Sequence, residues 1–542
     1  MALPSARFRG TDAAGREEET NALTVQVSAS AYEQAMSHLG SASAPLIRKE
    51  LPASASAGHI RLPYLCYRCG RPDPSGRPSV WGLRRTPKTA LFASRPFDPH
   101  HSRLMTRSVD EAPRTIPAGR DLTLDLARVF CVLLVVFVHI LFTGVGRGEN
   151  GSLVIERTVE SQPWFNAATW VANVMPLFFV VGGYAARAGW RTAVAKGISA
   201  DDFIRVRLAR LARPAVPVFI FFTLALGATR MLGIAPELVD AIAIGVGSPL
   251  WFLAAYMIVQ ALAPAMMRWH ERHGGWVLLF LLGAALAVDA FRYVFVGGVL
   301  GIDPLPPTGY GIGQEVFGIP NVLFVWLFAM QVGFFLYDGW FARLRWWQLV
   351  LLIGVGYAAQ WGLVSLGGYS VSMLGNQWPP TATMAVFAMV QAAALTLLHA
   401  PLTALMRVRV VQGAVFLIGS RLMTVYLWHL PMIMVLIGIE LLLPLPLPEP
   451  GSPEWWWTRV PFLVAVLGAV LLLSLWLVRF ERVPPVITPR FPAGWATPLA
   501  VIVFVLPILA ITAYGLDFPL AALALGGCAT SLWLTGSART AV

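Results

Sequence analysis

The apolar and polar positions of the chain fall into two regimes. Up to about Ala118 no apolar run reaches the length of a bilayer crossing, whereas beyond it stretches of about 20 apolar residues follow one another. The pattern predicts twelve spanning helices, near 124–144, 166–186, 214–234, 249–267, 276–298, 319–337, 347–366, 380–399, 421–443, 460–478, 498–515 and 518–535. The expected fold is an all-α polytopic membrane protein, a bundle of about 10–12 transmembrane helices with a disordered N-terminal segment. Residues 1–118 form that segment, rich in Ser, Ala, Pro and Arg, without a charged-then-apolar leader, and read as cytoplasmic. Met105 offers a later start, which would make the segment an artefact of an early start codon; a small module around Tyr64 to Trp81 is the other reading. Residues 119–490 hold the membrane domain, and 491–542 an additional transmembrane hairpin with a short tail.

Composition agrees and narrows the partners. With 56% hydrophobic and 13% charged residues over 542 positions, a soluble globular domain is excluded. The net charge of +12 comes from arginines scattered over short loops, so the expected partner is the lipid bilayer and not nucleic acid. Loops after the even-numbered spans carry Arg187, Arg191, Arg205, Arg207, Arg210 and Arg213, then Arg268 and Arg272, Arg343 and Arg345, Arg407 and Arg409, and Arg479 and Arg482. The alternate loops are acidic or nearly neutral, with Glu156 and Glu160, Glu237 and Asp240, Asp303 and Glu315, and Glu449 and Glu454. The positive-inside rule then puts both termini of a multi-pass plasma-membrane protein in the cytoplasm. Cys66, Cys69, Cys131 and Cys528 are too dispersed for a disulfide framework, and the lone CxxC lacks a second pair, so no metal is expected.

The first span is where chemistry intrudes, because it carries Asp125, Arg128 and His139 in an otherwise apolar run. The eleven-residue step from Arg128 to His139 turns through roughly 1,100°, three turns plus about 20°, so both lie on one stripe, and Asp125 stands one turn before Arg128, at i,i+3 ion-pair spacing. His139 reads either as a packing histidine bonded to a backbone carbonyl or as a functional group with Arg128. The stretch Asp201 to Pro217 carries arginines at 207, 210 and 213, either an anchor for topology or a clamp for phosphates. Asp289 and Arg292 read as a neutralised pair or as part of an acceptor site, His429 as a packing or a catalytic residue, and Trp455 to Trp457 as an interface belt or a sugar-stacking surface.

Several of these stretches together resemble acyltransferase family 3. They are Arg128 and His139 on the first span, MPLFFVVGGY from Met175, FIRVRLARLARP from Phe203, PLWFLAAY from Pro249 and VYLWHLPMIMV from Val425, covering about 120 to 480. The resemblance implies an integral membrane enzyme that moves acyl groups, often acetyl, from acyl-CoA to hydroxyls of glycans and other acceptors. It implies His139 as the catalytic histidine, Arg128 as its partner, and Arg207 with Arg210 as the RxxR motif linked to acyl-CoA. Two departures stand out: the small-residue turn is Gly182-Gly183-Tyr184, and the histidine expected before Leu250-Trp251 is Pro249. Trp251, Asp289, Arg292 and His429 remain candidates for the acceptor side.

The residues support that chemistry independently. Acyl transfer to a hydroxyl needs a proton acceptor, which a neutral imidazole provides near pH 7; His139 serves either as that base or as a transient acyl carrier. Arg128 then stabilises negative charge or binds the donor, with Asp125 orienting it. No tightly bound cofactor is called for, acyl-CoA being a substrate. The alternatives are a twelve-span secondary transporter, against which no repetition of the charged stretch is found in the second half, and a non-catalytic sensor or scaffold.

Overall fold

The computed structural model describes residues 26–27, 121–147, 153–233, 245–302, 314–443, 447–482, 487–488, 490–491 and 494–538. The rest of the expected disordered segment 1–118, including the module around Tyr64 to Trp81, lies outside them. Gln26–Val27 forms a strand, β1, that pairs in parallel with β3 (Leu153–Glu156) of the hairpin β2 (Gly144–Arg147) to β3. An edge strand offers unpaired backbone groups to a passing extended segment. This puts the two residues at the far end of the first helix from Asp121.

The membrane domain begins with α1 (Leu122–Phe142), capped by Asp121, whose carboxylate accepts from Thr123 N at 2.9 Å. It continues with α2 (Phe165–Ala172), α3 (Met175–Ala195), α4 (Ala200–Met231), α5 (Trp251–His273), and α6 (Trp276–Ala290), which runs on as a π-helix over Phe291–Val299. There follow α7 (Asn321–Tyr337), α8 (Trp346–Gly367), α9 (Ala382–Leu397), α10 (His399–Leu405), α11 (Arg409–Gly419), α12 (Leu422–Leu442), α13 (Pro453–Glu481), α14 (Ala496–Tyr514) and α15 (Phe518–Thr535). Among the described residues eleven helices are long and apolar enough to cross a membrane, and α9 with α10, bent by 60°, makes a twelfth if counted as one span. The chain is thus a multi-pass helical membrane protein. Most side chains of α5 are buried, whereas α8 buries only Leu349, Gly356 and Gln360 among its described residues, so α5 lies at the centre of the bundle and α8 at its rim.

Three features depart from the predicted pattern. The arginine-rich stretch expected as a loop is the first half of α4, which starts at Ala200, capped by Ser199, and runs through Pro214 and Pro217. Membrane helices tolerate such prolines because neighbouring groups re-satisfy the freed carbonyls. The predicted span 380–399 breaks at Leu398. The amphipathic helix α11, too short to span, packs Val415 with Met406 against Val129 of α1.

Two helix starts without side-chain caps of their own take a distant carboxylate, which suits the exposed N–H groups and positive dipole end there. Asp289 of α6 accepts from Ala382 N at 2.7 Å at the start of α9, and Glu481 at the end of α13 accepts from Thr424 N at 2.6 Å at the start of α12. Buried charge also joins the ends of α3, α5 and α7. Arg187 donates to Glu271 at 2.6 Å and to Asp338 at 3.4 Å, while the His270 ring lies 2.9 Å from Asp338 and 2.5 Å from Gln331. At the crossing of α3 with α7 the backbones touch: a Cβ on Gly183 would run into the Met330 carbonyl oxygen, and one on Gly333 into that of Val180. The terminal hairpin α14–α15 is tied to α4 by Arg205, which is fully buried.

Candidate active site

His139 lies on the last turn of α1, half-buried, with Nδ1 2.8 Å from the Val135 carbonyl oxygen one turn earlier. Across from it His429 of α12 is 1% exposed, and its Nε2 lies 3.3 Å from His139 Nδ1 with ring centroids 5.0 Å apart. His429 Nδ1 is 2.6 Å from the Tyr426 carbonyl oxygen. A carbonyl oxygen only accepts, so each Nδ1 carries a proton and, in a neutral ring, each Nε2 carries the lone pair. His139 therefore offers an unprotonated Nε2, and His429 points its own lone pair at His139. α12 is held in this register by Tyr426, whose hydroxyl donates to the Pro249 carbonyl oxygen at 2.6 Å.

Arg128, on the same stripe, stands eleven residues back, roughly 16 Å along the axis, and does not touch His139. Its Nη2 donates to the Val181 carbonyl oxygen of α3 at 3.4 Å. What holds Arg128 at this point is thus a backbone carbonyl of α3.

Arg207 is built in more firmly. Its Nε donates to Gln260 Oε1 of α5 at 2.8 Å and its Cζ sits 3.4 Å over the Phe203 ring. Gly189 leaves the room for its Nη2, since a Cβ there would lie 3.1 Å from it. Among the described residues the polar partner of Arg207 is the Gln260 amide and not a carboxylate. Arg210 is exposed. Arg207 and Arg210 lie about one turn apart on α4, while Arg205 is diverted to structure, bonded to Asp201, Thr497 and the Thr535 carbonyl.

The departures in the glycine turn have a spatial reason. A Cβ at Gly182 would come 2.9 Å from Tyr256, so a small residue there leaves room for the Tyr256 ring, which packs among Phe178, Phe179 and Phe252. Trp251 lies 5.7 Å from Trp326 in a stacked pair and 5.5 Å from Trp378, and its neighbour Phe252 packs on Tyr426. It therefore buttresses the turn that presents His429. Asp289 and Arg292 occupy another cluster. Asp289 accepts from Asn321 at 2.8 Å, Tyr369 at 3.0 Å and Ala382, while Arg292 faces Glu315 at 3.5 Å and not Asp289.

Beyond the end of α1, Phe142 packs edge-on to His139 and carries the Arg157 guanidinium 4.7 Å above its ring, with Glu160 2.8 Å from that guanidinium. Trp456 lies 6.0 Å from Trp164 nearby, so the tryptophan run contributes to an aromatic rim. Sequence reasoning passed over Gln260, Phe203, Tyr426 and Arg157. Gln260, a polar side chain in an apolar run, was a visible signal; the partners of Tyr426 and Arg157 were not, since each lies on a distant segment.

The acyltransferase domain family known as acyltransferase family 3 matches residues 121–479, which takes in every residue of this site and stops short of the α14–α15 hairpin. No curated protein and no solved structure matches the chain.

Proposed function

The chain belongs to acyltransferase family 3 and is a membrane acyltransferase, and from that premise we propose that it moves an acyl group, acetyl in the first instance, from a cytosolic acyl-CoA to a hydroxyl of a glycan, lipid-linked sugar or small metabolite. One observation carries the donor. Arg207 is held by the Gln260 amide and the Phe203 ring, and Arg210, one turn on along α4, is exposed. Two guanidinium groups one turn apart repel, and a polyphosphate relieves that repulsion while accepting guanidinium forks. His139 stands roughly 16 Å along α1 from Arg128, so the reacting thioester must ride on an extended arm, as in acyl-CoA.

The reaction then runs through His139 Nε2. The acceptor oxygen attacks the thioester carbonyl carbon as its proton passes to Nε2; the C–S bond breaks, and the leaving sulfur takes the proton back. Orientation follows the arginine loops, with the ends that carry Arg187, Arg207 and Arg343 in the cytoplasm at a plasma membrane and the hairpin β2–β3 outside. The transporter alternative loses its ground once the family is established.

The test is acyl transfer from acetyl-CoA to endogenous membrane acceptors, measured per amount of folded protein. His139→Ala should lower it on the order of 10² to 10⁴-fold. Substantial transfer by that variant at normal folding overturns the reading.

A further inference from the structure

We propose that His429 is a positioning residue for His139, a neutral imidazole in the place where a hydrolytic triad carries a carboxylate; the role rests on His139 being the proton acceptor of acyl transfer. Three distances fix the arrangement. His429 Nδ1 is 2.6 Å from the Tyr426 carbonyl, His429 Nε2 is 3.3 Å from His139 Nδ1, and His139 Nδ1 is also 2.8 Å from the Val135 carbonyl. The proton on His139 Nδ1 is therefore forked between two acceptors, Val135 O and His429 Nε2, and that fork keeps the proton off Nε2.

The second acceptor matters most after proton transfer. When His139 gains a proton at Nε2 it becomes a cation inside an apolar bundle, and His429 turns a lone pair toward the Nδ1–H of that cation. A carboxylate at this depth would itself have to be held charged away from water, at considerable cost, whereas an imidazole accepts without carrying charge. The ring is braced for the task. It is 1% exposed, Tyr426 one turn earlier is bonded to Pro249, and the adjoining Trp428 packs on Phe221 of α4 at 5.4 Å. A histidine that only filled space would not need its Nε2 aimed at another ring nitrogen.

Two measurements test the role. The first is independent of turnover: protein carrying 15N-labelled histidine, in lipid bilayers, should show a nitrogen–nitrogen correlation between one protonated and one bare ring nitrogen, lost in both His139→Ala and His429→Leu. The second is turnover of acetyl-CoA by purified protein with water as acceptor. His429→Leu should lower kcat on the order of 10²-fold with KM for acetyl-CoA within about threefold. His429→Gln, whose amide oxygen reaches the Nε2 position and accepts there, should recover at least about tenfold of that loss, and His429→Asn, too short to reach, should not. Equal activity of the Leu and Gln variants overturns the role, as does absence of the correlation in a wild-type protein that turns over acetyl-CoA. A correlation present in a protein with no acyl transfer to water or membrane acceptors removes the acyl-transfer reading and this role with it, while leaving the ring pair as structure.

Discussion

Arg205 of α4 donates from Nε to the Thr497 hydroxyl of α14 at 2.8 Å, across 292 residues of sequence. The same guanidinium meets Asp201 at 2.7 Å and is wholly buried, whereas Arg207, two residues on, turns toward α5. Arg205→Ala should therefore loosen the α14–α15 hairpin and strand Asp201, at a cost of about 3 kcal/mol. The midpoint of thermal unfolding in detergent should fall, while acyl transfer per folded protein should stay within about twofold of wild type. Loss of specific activity with an unchanged midpoint would contradict the structural role.

Arg207 should behave in the opposite way. Lysine keeps the charge but neither donates a fork nor lies flat on Phe203, so Arg207→Lys should raise KM for acetyl-CoA about tenfold, equivalent to about 1.4 kcal/mol. Arg210→Lys, at an exposed position, should raise it less. Unchanged KM in both variants would count against the phosphate clamp.

The crossing of α3 and α7 makes a prediction that needs no substrate. Gly183→Ala forces a Cβ against the Met330 backbone and should destabilise the bundle by about 1–3 kcal/mol. Gly283→Ala on α6, where nothing lies within 4 Å, should be neutral or stabilising by about 0.5–1 kcal/mol, because alanine favours a helix interior. Thermal midpoints of the two variants, side by side, decide it.

Orientation can be read with single cysteines. Ser161 and Lys196 are both exposed, on opposite sides of α3, and the native Cys131 and Cys528 are buried. With Cys66 and Cys69 replaced by Ser, an impermeant thiol reagent added to intact cells should label Ser161→Cys and spare Lys196→Cys. The reverse pattern would invert the topology.

How the site was legible differs residue by residue. The stripe of Arg128 and His139 was visible because helical periodicity is local and an ionisable side chain in an apolar run stands out. The same locality made Asp125 and Arg128, and Asp289 and Arg292, look like pairs at i,i+3, yet Arg128 donates to a carbonyl of α3, Asp289 accepts from the start of α9, and Arg292 faces Glu315. Spacing establishes that two side chains share a face, but not which carbonyl or carboxylate a third helix brings closer.

By itself the sequence determined the class and the approximate number of spans, the arginine bias between them, and the placement of one histidine and one arginine on the first helix, because hydrophobic length and period are properties of a single segment. Only tertiary structure decided that Arg205 is structural while Arg207 turns to Gln260, that α4 starts before its arginines, and that His429 turns its lone pair to His139. Those outcomes depend on contacts between segments far apart in the chain, 290 residues for the two histidines and 292 for Arg205 with Thr497. They are set by which backbones can approach, as at Gly183, and by the need of every polar group in an apolar bundle to find a partner there.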